Sequence, residues 1–159
     1  MLTVINDANL QDFVVGVKYL LEKSDSSEEV KKLATEITAG KPDPVKAIFD
    51  WVRLHVKYVP DPGDDELFIS PIKMVESYRL NKPMEEDCDG FSLLTVALLR
   101  AIGRESNVCF VAQTSNGEYD HAVCRVFSKE LNRYIYLDTS TMAVPCGWES
   151  KFFKMRVIE

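Results

Sequence analysis

The amino-acid sequence predicts an α+β fold in which N-terminal helices and a central buried helix pack against an antiparallel sheet. Apolar residues of the first hundred positions recur at helical spacing, interrupted at Gly40, Pro60 and Gly103. From Asn107 onward, short apolar segments separated by polar turns replace that spacing, which is typical of strands. Helices followed by a run of strands are typical of α+β domains, whereas parallel α/β folds alternate the two.

The composition is that of an ordinary globular domain. The chain has 159 residues, of which 46% are hydrophobic and 28% charged, so we expect a single domain with one core. Its net charge of -6 opposes binding to nucleic acid or to an anionic membrane, because phosphate binding needs clustered cations. The sequence shows no leader-like or membrane-spanning run, so we expect a soluble, cytoplasmic protein.

Local signals indicate where the helices begin. We expect a first helix capped at residue 6 or 7 and ending near residue 23. Three later starts are marked by a capping box at Ser26 and Glu29, by Asp43 before Pro44, and by Ser70 before Pro71. We therefore divide the chain into a helical extension over 1–43, a core over 44–140 and a closing segment over 141–159.

Two predicted strands bring a histidine and an aspartate together. His121 begins one strand and Asp138 ends the next. If Phe127 pairs with Tyr134, Asp138 lies one diagonal step from His121 on the same face of the sheet. The opposite face is then uniformly apolar and suits a core; it comprises Ala122, Cys124, Val126, Ile135 and Leu137.

A cysteine lies where the central helix is predicted to begin. Asp87 is a plausible N-cap, and Cys88 follows it. The positive end of a helix lowers the pKa of a thiol there, and its N–H groups can stabilise an oxyanion. We therefore predict that Cys88, His121 and Asp138 form a catalytic triad acting on amide bonds through an acyl-thioester.

Other reactive side chains have simpler interpretations. The four cysteines contain no CxxC pair, so we expect free thiols, no metal site and no cofactor, with Cys109 and Cys124 buried as small apolar residues. His55 lies within a helix and is expected to be a helix-face residue. Asp87 and Asp89 could act as paired acids, but a cap and a first-turn acid are the favoured roles.

Four segments together resemble the transglutaminase-like superfamily, within the papain-like cysteine-enzyme fold. They are AIFDWVRLHVKYVPDP, EEDCDGFSLLTVALLRAIG, DHAVCRVF and YIYLDTS, and the resemblance covers roughly residues 44–140. It implies that Cys88 is the nucleophile, His121 the base and acid, and Asp138 the residue that orients the histidine. The side chain completing the oxyanion hole would be sought near Trp51 and Tyr58. One departure is Glu85-Glu86, where many members have glycine directly before the acidic-Cys segment.

The resemblance implies a cysteine hydrolase acting on a protein or peptide substrate, as in short copies from bacteria and their phages. A transglutaminase joining glutamine to amines and a catalytically idle binding module remain alternatives. Hydrolysis is favoured over cross-linking because few residues remain to build walls that would exclude water from the acyl-thioester. The acidic loop Asp61–Glu66 is either solvated or favours an amine-bearing substrate near the site. The oligomeric state is not predicted.

Overall fold

The computed structural model describes residues 7–60, 69–149 and 151–159, with side chains described from residue 10 onward. Within these residues five helices precede most of the strands. The helices are α1 (Asp7–Asp25), α2 (Glu28–Thr38), α3 (Pro44–His55), α4 (Pro71–Arg79) and α5 (Cys88–Ala101). The strands are β1 (Val56–Tyr58), β2 (Met84–Glu86), β3 (Ser106–Ala112), β4 (His121–Ser128), β5 (Arg133–Leu137) and β6 (Lys154–Val157).

The main sheet has four antiparallel strands in the order β5-β4-β3-β6. The predicted α+β fold with an antiparallel sheet is thereby confirmed. The predicted register is also confirmed, because Phe127 lies opposite Tyr134 and Cys124 lies opposite Leu137.

Helix α5 forms the centre of the core. It contacts α1, α2, α3 and α4 as well as β3 and β4, and its residues from Asp89 to Leu99 are all buried. A helix that is apolar nearly all round suits this position between two layers. The predicted apolar face of the sheet packs in the same core, through Ala122, Cys124, Val126, Leu137 and the half-buried Ile135. No helix in the described ranges is long and apolar enough to cross a membrane.

Of the five predicted helix caps, three are confirmed and one is wrong; the first, at residue 6 or 7, is not tested because residue 6 and the side chain of residue 7 lie outside the described residues. The side chains of Asp43, Ser70 and Asp87 each accept a hydrogen bond from the first turn of the helix that follows. Ser26 does not cap α2; Ser27 does, accepting from the N–H of Val30 at 3.3 Å. The reason is that α1 continues to Asp25, so the Ser26 hydroxyl bonds back to the Lys23 carbonyl.

A small parallel sheet of β1 and β2 was not predicted. Each strand has three residues, too few to show an alternating pattern. The pairing sets Tyr58 opposite Glu86, and the N–H of Val59 donates to the Glu86 carbonyl at 3.0 Å. The pairing therefore holds Tyr58 beside the segment that leads into Cys88. The acidic loop that follows β1, Asp61–Glu66, lies outside the described residues.

Because Gly90 has no side chain, the side chain of Glu86 can pack closely against the start of α5. A Cβ added there would lie 2.2 Å from Oε2 of Glu86 and 2.5 Å from its Cδ. Glu86 is only 4% exposed, so its side chain has little room to move. The glutamate that departs from the family pattern is therefore packed against the first turn of the cysteine-bearing helix.

We expect Gly90→Ala to destabilise the protein, although alanine is normally the better helix former. The clash should cost roughly 1–3 kcal/mol as overpacking does, exceeding the ~1 kcal/mol gained in helix propensity. Urea unfolding of Gly90→Ala, Glu86→Ala and the double variant measures this. In the Glu86→Ala background, Gly90→Ala should no longer destabilise the protein. An equal loss of unfolding free energy in both backgrounds would contradict the clash between position 90 and Glu86.

Candidate active site

His121 and Asp138 meet where β4 begins and β5 ends. His121 Nε2 lies 2.6 Å from Asp138 Oδ2, and both side chains are mostly buried. The other carboxylate oxygen accepts from Ser140 twice, from its hydroxyl at 2.6 Å and from its N–H at 3.1 Å. Asp138 is thus held on both oxygens, and the bond to Nε2 leaves Nδ1 as the imidazole nitrogen able to serve another group.

The contacts around Asp138 favour its charged form. Burial alone would raise its pKa, but the hydrogen bonds and charge of His121, together with those from Ser140, lower the pKa below its ordinary value. Asp138 is therefore a carboxylate at neutral pH and can orient the imidazole and stabilise its protonated form.

Cys88 is the first residue of α5. Its N-cap, Asp87, accepts from the N–H of Asp89 at 3.0 Å and of Gly90 at 3.5 Å. A backbone hydrogen bond from Ala122 reaches the Cys88 thiol. Since Ala122 follows His121 directly, this contact joins the start of α5 to the start of β4.

The local charge opposes a preformed thiolate. The Cys88 thiol donates to Asp89 Oδ1 at 3.8 Å. Burial, followed by the carboxylates of Asp89 and Asp87, raises the pKa of Cys88 well above its ordinary value, and the bond from Ala122 opposes them only in part. The expectation of a lowered pKa is therefore wrong, because burial and the carboxylates of Asp89 and Asp87 favour the neutral thiol.

Buried hydroxyls join α5 to the end of β5. The Thr95 hydroxyl donates to the Phe91 carbonyl at 2.7 Å and lies 3.0 Å from the hydroxyl of Thr139. Thr139 directly follows Asp138, and both threonines are buried. The contact fixes the aspartate relative to the helix that carries Cys88. The roles of Thr95, Thr139 and Ser140 were not predicted from the sequence; only the Asp-x-Ser spacing, which is typical of a turn, could have indicated Ser140.

Of the two aromatic residues proposed for the oxyanion region, the structure brings one to the site. Tyr58 packs against Phe91 with ring centroids 6.2 Å apart and lines the same cleft as His121. Burial, with a contribution from the carboxylates of Asp87, Asp89 and Asp138, raises the pKa of Tyr58 to about 12, so its hydroxyl remains a donor. Trp51 instead stacks on His55 at 4.3 Å and lines a different cavity.

A cleft of about 520 Å³ opens beside the His121–Asp138 pair. Its lining includes both residues and Tyr58, and otherwise comes mainly from the segment that follows β5. Among the residues lining this cleft, the aromatic ones from that segment are Trp148 and Phe152. The site therefore combines a hydrogen-bonded histidine, a neighbouring thiol and space for a ligand.

The other predicted reactive residues are engaged elsewhere. Cys109 and Cys124 are fully buried, as expected, and all four cysteines are free thiols. His55 is bonded through Nδ1 to the Trp51 carbonyl at 2.8 Å and also contacts Tyr78. These contacts agree with the expected helix-face role of His55.

Comparison with known proteins identifies the family. The sequence matches the family model described as the transglutaminase-like superfamily over residues 31–139, which is more than half of the chain. The chain belongs to the transglutaminase-like superfamily. The resemblance drawn from its motifs is thereby confirmed. Among curated proteins, no significant match was found.

Solved structures show the same fold. A candidate cysteine protease from Cytophaga hutchinsonii is 21% identical, with a TM-score of 0.55 over 87% of this chain and 46% of that one. A candidate protease from Parabacteroides distasonis is 16% identical, with a TM-score of 0.58 over 83% and 26%. The Rad4-Rad23 complex bound to a 6-4 photoproduct UV lesion is 16% identical, with a TM-score of 0.52 over 83% and 38%. This chain spans less than half the length of each.

We expect Ser140→Ala to raise the pKa of Asp138, because the variant loses the hydroxyl bond to the charged carboxylate. A lowered pKa contributes stability that is complete well above the ordinary aspartate value of 3.8 and is lost as the pH falls through the folded value. Urea unfolding should therefore show the variant less stable than the wild type at neutral pH, with the difference in unfolding free energy narrowing as the pH falls below 3.8.

A gap that stays constant with pH would contradict this role for Ser140. Ser128→Ala is the matched control, because the Ser128 hydroxyl only accepts from the Leu131 N–H in an exposed turn.

Proposed function

We propose that the protein is a cysteine hydrolase that cleaves peptide or side-chain amides through an acyl-thioester, with Cys88, His121 and Asp138 as its triad. The observation that supports this most is the 2.6 Å contact between His121 and Asp138, directly beside the Ala122 backbone that bonds the Cys88 thiol. These contacts support the assignment of Cys88 as nucleophile, His121 as base and Asp138 as orienting acid.

Attack on the substrate begins from a protonated thiol. Since the pKa of Cys88 is raised, His121 must accept the proton as sulfur approaches the carbonyl carbon, acting as a general base. The nitrogen that accepts it is Nδ1, because Nε2 is bonded to Asp138. The resulting imidazolium is stabilised by the Asp138 carboxylate.

The tetrahedral intermediate needs donors for its oxyanion. The Asp87 side chain already accepts from the N–H groups of Asp89 and Gly90. We therefore assign the backbone N–H of Cys88 and the hydroxyl of Tyr58, which stays protonated because its pKa is about 12.

Collapse of the intermediate breaks the carbon–nitrogen bond. His121 returns the proton to the leaving amine, and the acyl group remains on sulfur as a thioester. His121 then deprotonates a water molecule that attacks this thioester, releasing a carboxylic acid and restoring the thiol. A primary amine in place of water would give transamidation, and an unreactive thiol would indicate a binding module.

We expect Cys88→Ala and His121→Ala each to lower turnover by roughly a thousandfold or more. Asp138→Asn should lower turnover less than these two, but still substantially. The assay is a peptide library, run in parallel with a glutamine-containing protein and a labelled amine. His55→Ala is the matched histidine control and should keep activity. Loss with His55→Ala but not with His121→Ala would refute the base, and amine incorporation exceeding hydrolysis would favour the transferase.

We expect Asp89→Asn to make Cys88 more reactive toward iodoacetamide at neutral pH. The substitution removes the carboxylate that accepts from the thiol, so the pKa of Cys88 should fall and the alkylation profile should move to lower pH. Mass spectrometry of the alkylated peptides follows the rate at each cysteine.

In the wild type Cys88 should react before the buried Cys109 and Cys124. Asp50→Asn, which removes an exposed carboxylate paired with Lys46, is the control and should leave the Cys88 rate unchanged. An unchanged rate in Asp89→Asn would refute the electrostatic account of the thiol.

A further inference from the structure

The cleft beside His121 has one wall built from the segment that follows β5. Trp148 and Phe152 pack edge to face with centroids 6.3 Å apart, and Phe152 also meets Tyr136 at 5.7 Å. Both aromatic side chains rest on a buried apolar cluster of Cys109, Val111 and Val123. They are half-buried, so each presents part of its ring to the cleft.

This wall is fastened to the rest of the fold along its length. Arg53 donates to the Val144 carbonyl at 3.2 Å, the Gly147 N–H to the Tyr136 carbonyl at 3.1 Å, and the Phe153 N–H to the Ala112 carbonyl at 3.0 Å. A wall fixed in this way loses little conformational freedom when a ligand binds.

The cleft lies on the leaving-group side of the reaction. Its lining residues include His121 and Asp138 but not Cys88. In the proposed reaction the acyl part of the substrate bonds to Cys88, whereas the departing amine takes its proton from His121. The fragment that contacts His121 and extends away from the sulfur is therefore the amine fragment.

Resting on the proposed function, we infer that this cleft binds the leaving group of the substrate and selects an amine fragment with an aromatic or bulky aliphatic side chain followed by a carboxylate. The apolar part fits the parts of the Trp148 and Phe152 rings that line the cleft. Apart from His121, Lys151 is the cation among the described residues that line the cleft, and it suits the carboxylate.

A binding measurement tests this site without requiring turnover. The chain has two tryptophans, so Trp51→Phe leaves Trp148 as the single fluorescent indole. We expect phenylalanine and phenylalaninamide to change its emission saturably, with phenylalanine binding more tightly and glycinamide giving no response. Lys151→Ala should remove the difference between the first two ligands. In the converse variant, Trp148→Phe, the emission of Trp51 should not respond.

A kinetic measurement completes the test with amides that share one acyl part and differ only in the leaving group. An aromatic leaving group should exceed glycinamide in kcat/KM by about tenfold or more, and Trp148→Ala should reduce that ratio toward one. Turnover without such a preference would overturn the inference, as would emission changes with glycinamide as large as those with phenylalaninamide. Either result would leave the proposed hydrolase activity unaffected. Selective binding with no turnover and an unreactive Cys88 would support the site and refute the hydrolase.

Discussion

The register between β4 and β5 is the constraint on which the candidate site depends. Because side chains alternate along a strand, the pairing of Cys124 with Leu137 sends one set into the core and leaves His121 and Asp138 able to meet at 2.6 Å. A slip of one residue would exchange the two faces and turn the apolar set that includes Ala122 and Leu137 away from α5. The free energy of core burial therefore enforces the geometry of the histidine–aspartate pair, since the same pairing satisfies both.

The register alone does not locate the nucleophile, which lies on a different element. Two contacts connect α5, which carries Cys88, to the histidine–aspartate pair, one on the side of each residue. At β4 the Ala122 backbone bonds the Cys88 thiol, and beyond β5 the Thr139 hydroxyl meets Thr95 of α5 at 3.0 Å. In the proposed mechanism, burial and the carboxylates of Asp89 and Asp87 keep the thiol protonated until the histidine takes the proton. A resting neutral thiol is also less open to alkylation and oxidation than a thiolate would be.

The features that follow from periodicity and from local capping chemistry could be predicted from the sequence. The register could be predicted because the face that includes Ala122 is uniformly apolar, and the start of α5 because Asp87 is a strong N-cap. The parallel pairing of β1 and β2 could not be predicted, because strands of three residues carry no periodic signal and the paired residues are 28 positions apart. The pKa of Cys88 was predicted in the wrong direction because the helix terminus was weighed without the desolvation and charge that only the packed structure reveals.

If the proposed function holds, catalytic chemistry and leaving-group selection fall on separate parts of this chain. The candidate triad is fixed by α5, β4 and β5, whose packing admits little change. The aromatic wall comes from the segment after β5, which touches the sheet face opposite α5 and is attached chiefly by backbone carbonyls and N–H groups. Backbone attachments persist when side chains are replaced, so other apolar residues at positions 148 and 152 could cover the same cluster and leave in place the register that aligns His121 with Asp138. A change in the proposed leaving-group preference would therefore be structurally independent of the proposed thioester chemistry.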